Sequence, residues 1–322
     1  MTITATGAKR RVRSAQHPER GRSRWRRRDT WAAYGFISPW IIGFLVFTAG
    51  PMIASFVLSF TNYDGIGASH SVGFANYRHL FQDPAVAKSL MNTLIFAVMR
   101  VPLSMAVALL LAMLLLRVGR ASGFFRTIFY LPVMTPSVAV GILFLLLFNG
   151  NVGLINHVLG LVGLHGPAWT TDSAWIKPGL VLTSLWSVGS TVIIYLAALK
   201  NVPKDLYEAA ELDGVGRWNS FRHVTFPQIS GTLFFTLIVN TIASLQTFTE
   251  AYTAFFGSSN SQTYSNDAAL FYVVYLFQQA FQYTHMGYAS ALAWLLFLVV
   301  LVITVIQAKV SKRFVYYEGD ER

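Results

Sequence analysis

The sequence predicts an all-α integral membrane protein of six transmembrane helices with both termini in the cytoplasm. Three observations carry that expectation: a composition poor in charge, six apolar stretches of spanning length, and a one-sided distribution of lysine and arginine. Of 322 residues, 54% are hydrophobic and only 12% charged, against about 25% charged in soluble domains. Much of the surface must therefore face something other than water.

Taken in order, the chain opens on a basic segment. Ten of the 25 Lys/Arg residues precede Asp29, among them Arg10-Arg11 and Arg26-Arg27-Arg28. Residues 1–33 read as a disordered cytoplasmic tail held near anionic lipid, too polar for a secretory signal. The net charge of +11 raises nucleic acid as a partner, but no aromatic platform accompanies the arginines, so none is expected. Six stretches then supply the roughly 20 apolar residues that a bilayer-crossing helix needs: 34–60, 89–116, 124–148, 178–199, 229–256 and 286–309. Pro39 and Gly50-Pro51 in the first are tolerable kinks where neighbouring helices satisfy the freed backbone groups.

Orientation follows from the basic residues. With the N-terminus inside, the inner segments are the tail, 117–123, 200–228 and 310–322. Together with the edge residues Arg126 and Lys309 they hold 21 Lys/Arg, whereas the outer segments hold three, Arg78, Lys88 and Lys177. No internal repeat is visible and the outer loops are too short for a separate lobe. One six-helix domain, 34–309, followed by a cytoplasmic tail, 310–322, is the economical organisation.

The inner segment 203–227 stands apart because it is polar and helix-forming. Pro203 suits the first turn of a helix, and Asp205 lies near its positive end. Leu206, Ala209, Ala210 and Leu212 provide a small, largely apolar face. Gly214 fits the left-handed position that ends a helix. A second short helix is expected over about 217–224, with Pro227 opening the fifth span. Such an elbow can seat in a cleft of another protein and offer Glu208 to a basic partner residue. It can also rest on lipid as an interfacial helix.

The register of Glu208-Ala209-Ala210, Gly214 and Val224-Thr225-Phe226-Pro227 resembles the EAA loop of ABC-importer permeases. The likeness extends over roughly 34–310. It includes PMIASFVLSFTNY at 51–63, GFANYRHLFQDP at 73–84, Asn92-Thr93, Phe125-Arg126 with Leu131-Pro132, Gly153-Leu154-Ile155-Asn156 and Gly287-Tyr288-Ala289. In this order the fragments look like the six-span permeases of carbohydrate importers, the branch that also takes up disaccharides and glycerol phosphates. The resemblance implies the ABC-permease fold. It implies a second permease, two copies of an ATP-binding subunit and an extracytoplasmic solute-binding protein as partners. Coupling to the ATPase would pass through Glu208, Ala209, Ala210, Gly214 and Pro227. ATP and Mg would reside on the partner ATPase, since this chain has no G-x-x-x-x-G-K-[ST] phosphate loop and needs no cofactor of its own. The implied location is the cytoplasmic membrane of a prokaryote. Two departures stand out. Gly257-Ser258-Ser259-Asn260 replaces the usual Gly-rich stretch after the fifth span, and Arg100 occupies a position that is ordinarily uncharged.

Polar groups within spans commonly face a bundle interior or a watery path. The fifth span offers Asn240, Ser244, Gln246, Thr247 and Glu250, with Ser244, Thr247 and Glu250 at three-residue spacing on one expected face. The fourth adds Ser184, Trp186 and Ser187. These hydroxyls also serve as glue between helices. Arg100, near mid-bilayer, can pair with Glu250, attract an anionic solute such as a phosphorylated one, or snorkel. The chain has no cysteine, its seven histidines show no metal spacing, and no catalytic motif is present, so an enzyme is not expected. An ion-coupled secondary transporter is the main rival. It would need coupling carboxylates and usually an inverted repeat, and it would leave the cytoplasmic elbow without purpose.

Overall fold

The computed structural model describes residues 22–256 and 267–311. The terminal segments 1–21 and 312–322 and the Gly257–Asn260 departure lie outside the described residues. Every regular element described is helical, and the one β-type contact is an isolated antiparallel bridge between Thr61 and Ser71. The chain divides into two compact units, 1–55 and 56–322.

The first unit is built on α1 (Arg22–Phe44), a π turn (Leu45–Ala49) and the opening of α2 (Gly50–Leu58). Helix α1 starts within the segment read above as a tail: nothing from Arg22 to Tyr34 is glycine or proline, and the backbone has no reason to break. Phe36 and Phe47 are more than 80% exposed along this stretch. Apolar groups turned outward at such density belong in lipid.

The second unit begins with α3 (Ala75–Gln82) and α4 (Pro84–Arg117). Pro84 occupies the first turn of α4, and the Asp83 side chain accepts from the Ala85 amide at 2.9 Å, the combination favoured at helix starts. At about 1.5 Å per residue, α4 is longer than the bilayer core. There follow α5 (Ser122–Tyr130), α6 (Ser137–Leu147), α7 (Leu154–Leu161), α8 (Ile176–Ser184) and α9 (Gly189–Asn201). The inner elbow is α10 (Lys204–Leu212), α11 (Arg217–Ser220) and α12 (Phe226–Gln228). The chain then runs through α13 (Ser230–Leu245), α14 (Thr249–Phe255), α15 (Tyr272–Phe277) and α16 (Met286–Ser311).

Among the described residues, four helical stretches are long and apolar enough to cross a membrane: 30–58, 84–117, 230–255 and 286–311. The two other expected spans are bent pairs. The α5 segment, 122–134, meets α6 at 94°, and the α8 segment, 176–187, meets α9 at 56°. Pro132 and Pro136 bracket the first bend, and each lacks an amide donor. Proline also explains two of the π turns. The widened turns at 45–49 and 221–225 each end two residues before a proline, Pro51 and Pro227, where the Gly50 amide donates to Leu45 and the Phe226 amide to Phe221. Widening the turn moves away the carbonyl that the proline ring would strike.

Helix α4 is the centre of the packing. Its fully buried Ala108 and Ala112 lie against Val192, Tyr195, Leu196 and Leu199 of α9, small residues admitting a close helix pair. Tyr195 and Thr236 join α9 to α13 by a buried hydroxyl pair at 2.6 Å. A second core links Phe96 of α4 with Phe144, Leu180, Phe255 and Phe271. Near the N-terminal end of α4, Tyr272 and Leu292 close a third, with the Asn92 amide donating to the carbonyls of Asp267 and Leu270.

Candidate functional site

Three helix breaks meet at one cavity. The α5–α6 break contributes Val133, Thr135 and Ser137, the α8–α9 break contributes Thr183, Ser184 and Ser187, and the gap between α13 and α14 contributes Thr247 with Glu250 beside it. The fourth wall is α4, with Phe96 and Arg100. Irregular backbone at membrane depth is tolerated where it lines a cavity or is buried in protein, and here all three breaks line the same one. The cavity holds ≈ 100 Å³, room for roughly three waters.

Arg100 dominates the electrostatics. Its guanidinium lies 5.7 Å from the centroid of the Phe96 ring, within cation–π range, and donates to the Thr247 hydroxyl at 3.4 Å. Glu250 acts on it electrostatically. Pro102, two residues further on, leaves α4 continuous but removes an internal hydrogen bond just beyond this point. Gly141 of α6 lets α14 approach: a Cβ there would lie 2.9 Å from the Glu250 carbonyl oxygen.

The cavity gathers Arg100, Thr247 and Glu250 of the expected pathway residues, with Ser184 and Ser187. Trp186 is half exposed and reaches the Thr135 hydroxyl at 3.5 Å. Asn240, Ser244 and Gln246 are not in the lining. The expected face of Ser244, Thr247 and Glu250 does not form, because α13 ends at Leu245 and Phe248 leaves helical geometry at φ −136°, ψ −65°. Three-residue spacing across a break does not keep side chains in one row. Ser244 is buried with no hydrogen-bond partner, and Gln246 is exposed. Thr135, Ser137 and Thr183 were missed. The signal for the first two is the sequence P-V-M-T-P-S at 132–137, hydroxyls set at a proline-bracketed break.

The inner elbow has the geometry expected of Gly214 and a variant of that expected of its flanks. Gly214 has φ +73°. Its amide donates to the Glu211 carbonyl at 3.0 Å and that of Val215 to Ala210 at 2.9 Å, a Schellman ending that requires a left-handed residue. Pro203 precedes the first helical turn instead of lying inside it. Pro227 lies within the helical run of the elbow, and the fifth span begins at Ser230, whose hydroxyl donates to the Pro227 carbonyl at 2.6 Å. The expected apolar face divides. Ala210 turns inward, while Leu206, Ala209 and Leu212 face out. Asp205, Glu208, Ala209 and Leu212, at helical spacing, make up the exposed face. Beneath them Tyr207 bonds Thr225 at 2.9 Å, and Tyr207 and Val224 pack against the α4–α9 core. Exposed Asp205 and Glu208 thus lie on a helix whose other side packs, through Tyr207, against the α4–α9 core.

A family profile described as "Binding-protein-dependent transport system inner membrane component" matches residues 84–316. The probable ABC transporter permease protein YesP of Bacillus subtilis (strain 168) is 41% identical over 306 residues, covering 93% of this chain and 96% of that protein. The lactose transport system permease protein LacF of Rhizobium radiobacter is 34% identical over 278 residues, covering 84% of this chain and 91% of its own. A crystal structure of a bacterial ABC transporter that imports the acidic polysaccharide alginate superposes with a TM-score of 0.76 at 25% identity, over 91% of this chain and 99% of that one. These matches cover the cavity and the elbow together. The chain belongs to the binding-protein-dependent transport system inner membrane components: it is a multi-pass permease subunit of an ABC transporter, and its named relatives include carbohydrate permeases.

Proposed function

We propose that this subunit passes a sugar or related polyol from an extracytoplasmic solute-binding protein across the cytoplasmic membrane, driven by ATP hydrolysed on a separate chain. The observation that carries the proposal is the braced elbow. Asp205, Glu208, Ala209 and Leu212 are exposed on one side of α10, while its other side is tied to α4 and α9 through Tyr207 and Val224. A push delivered to that ridge by an ATPase would reach the helices that wall the cavity. In this reading both bent pairs are single spans, making six, and both termini are cytoplasmic. The working complex holds a second permease and two ATP-binding subunits, with ATP and Mg on the latter. The relatives' lactose and alginate support a carbohydrate cargo without choosing one.

The test is to isolate the complex from membranes and identify its chains by mass spectrometry, for wild type and Glu208→Lys. The expected wild-type complex contains an ATPase, another permease and a solute-binding protein. The mutant should keep the other permease and lose the ATPase. An undiminished ATPase in the mutant, or reconstituted uptake insensitive to orthovanadate, would overturn the coupling.

A further inference from the structure

We propose that the cavity receives a single carboxylate, so that the preferred solute is a uronate-bearing sugar and Arg100 is the residue that selects it; this rests on the sugar-import reading above. A guanidinium has five N–H donors. Among the described residues Arg100 uses one, at 3.4 Å to Thr247, and no carboxylate oxygen lies within ion-pairing distance, 4.0 Å, of it. A partly buried cation with most of its donors unused by protein groups is poorly compensated. Planar carboxylate is the group that its fork geometry matches.

Size and local charge narrow the class. The ≈ 100 Å³ recess is well below the 300 Å³ or more usual for whole small-molecule pockets, so it suits one substituent with the sugar ring lying outside it. Glu250 shares the lining. A phosphate monoester bears about −1.5 to −2 charges, so Glu250 repels it more strongly than it repels a singly charged carboxylate. A carboxylate carries one charge, balanced by Arg100, and leaves Glu250 to accept from sugar hydroxyls. Thr135, Ser137 and Thr183 supply further hydroxyl partners at the rim. A neutral sugar could accept from Arg100 through its hydroxyls, but it would bring no opposite charge in the planar two-oxygen geometry that the guanidinium fork matches.

The experiment is uptake by the complete importer in proteoliposomes. It uses oligogalacturonate, the same oligomers as methyl esters, a neutral maltooligosaccharide and glucose 1-phosphate, each with and without orthovanadate. The expected result is vanadate-sensitive uptake of oligogalacturonate at about tenfold or more over the esters, since a hydrogen-bonded charge is worth that factor. Arg100→Gln should erase the preference, and Arg100→Lys should retain part of it. Should Arg100→Gln fail to assemble, Glu250→Gln reports on the same cavity and should raise glucose 1-phosphate uptake relative to the acid. Equal uptake of acid and ester, vanadate-sensitive uptake confined to the neutral sugar or the phosphate, no oligogalacturonate uptake by a complex that hydrolyses ATP, or an acid preference that survives Arg100→Gln would overturn the inference while leaving ATP-driven import intact. Uptake indifferent to vanadate would instead overturn the function on which it rests.

Discussion

Two glycines show how differently one residue type constrains this fold. At Gly189 a Cβ would overlap the backbone carbonyl of Phe129, and backbone cannot move aside cheaply. Gly189→Ala is therefore expected to separate α9 from α5 at a cost of about 1–3 kcal/mol, seen as a melting temperature lowered by several degrees in the detergent-purified protein. At Gly214 a Cβ would meet nothing within 4 Å, but φ is +73°. Gly214→Ala should thus cost only the left-handed strain, about 1–2 kcal/mol, and lower coupled uptake without lowering the amount of protein in the membrane. Asp83 is a third residue-scale case. Burial raises its carboxyl pKa, yet donation from Tyr275 and Tyr288, the Ala85 amide and the charge of His79 outweigh that and leave it below the ordinary 3.8. A depressed carboxylate stabilises the fold above its unfolded value and ceases to do so as pH falls through the folded one. The stability gap between wild type and Asp83→Asn should accordingly be present at pH 7 and shrink below about pH 3.8. A thermal-shift series against pH reads it directly.

At the scale of elements, the informative features are interruptions. The coupling proposed for the elbow needs an exposed outer side and a packed inner side, and α10 has both. Tyr207→Phe removes the bond to Thr225 and about 1 kcal/mol of bracing while leaving the exposed ridge untouched. The expected outcome is normal recovery of the ATPase with reduced uptake per ATP hydrolysed. If transport and hydrolysis fell in proportion, the brace would have no part in coupling. The three breaks around Arg100 follow from identifiable chemistry in one case, the prolines at 132 and 136. At the fifth span the helix ends at Leu245 and resumes at Thr249 with no proline or glycine to mark the gap.

For the whole molecule, the distribution of charge makes a topological statement that the absence of cysteine renders easy to check. Since the chain has none, single cysteines report without background. With both termini inside, Asn151→Cys should react with a membrane-impermeant maleimide in intact cells. Asn219→Cys should react only after permeabilisation. The reverse pattern would invert the orientation and remove the elbow from reach of any cytoplasmic ATPase. The Arg78, Lys88 and Lys177 positions share the outer side in the same scheme.

What the sequence determined by itself is what depends on period, composition and local backbone chemistry. Span positions follow from hydropathy because a bilayer core demands a minimum apolar length. The start of α4 at Asp83-Pro84 and the end of α10 at Gly214 follow from donors and dihedral angles that neighbours in sequence can satisfy. The elbow's family register was legible for the same reason, being local. Tertiary structure alone decided which polar groups meet. In sequence Gln246 looked a stronger pathway residue than Ser244 or Thr247, a long amide being costly in lipid, and only the break after Leu245 turned Ser244 inward, Gln246 outward and Thr247 toward Arg100. The split of α10 into a ridge bearing Glu208 and Ala209 and a base bearing Ala210 likewise depended on where α4 and α9 lay. Burial of a helix face is set by what packs on it, and that partner is distant in sequence.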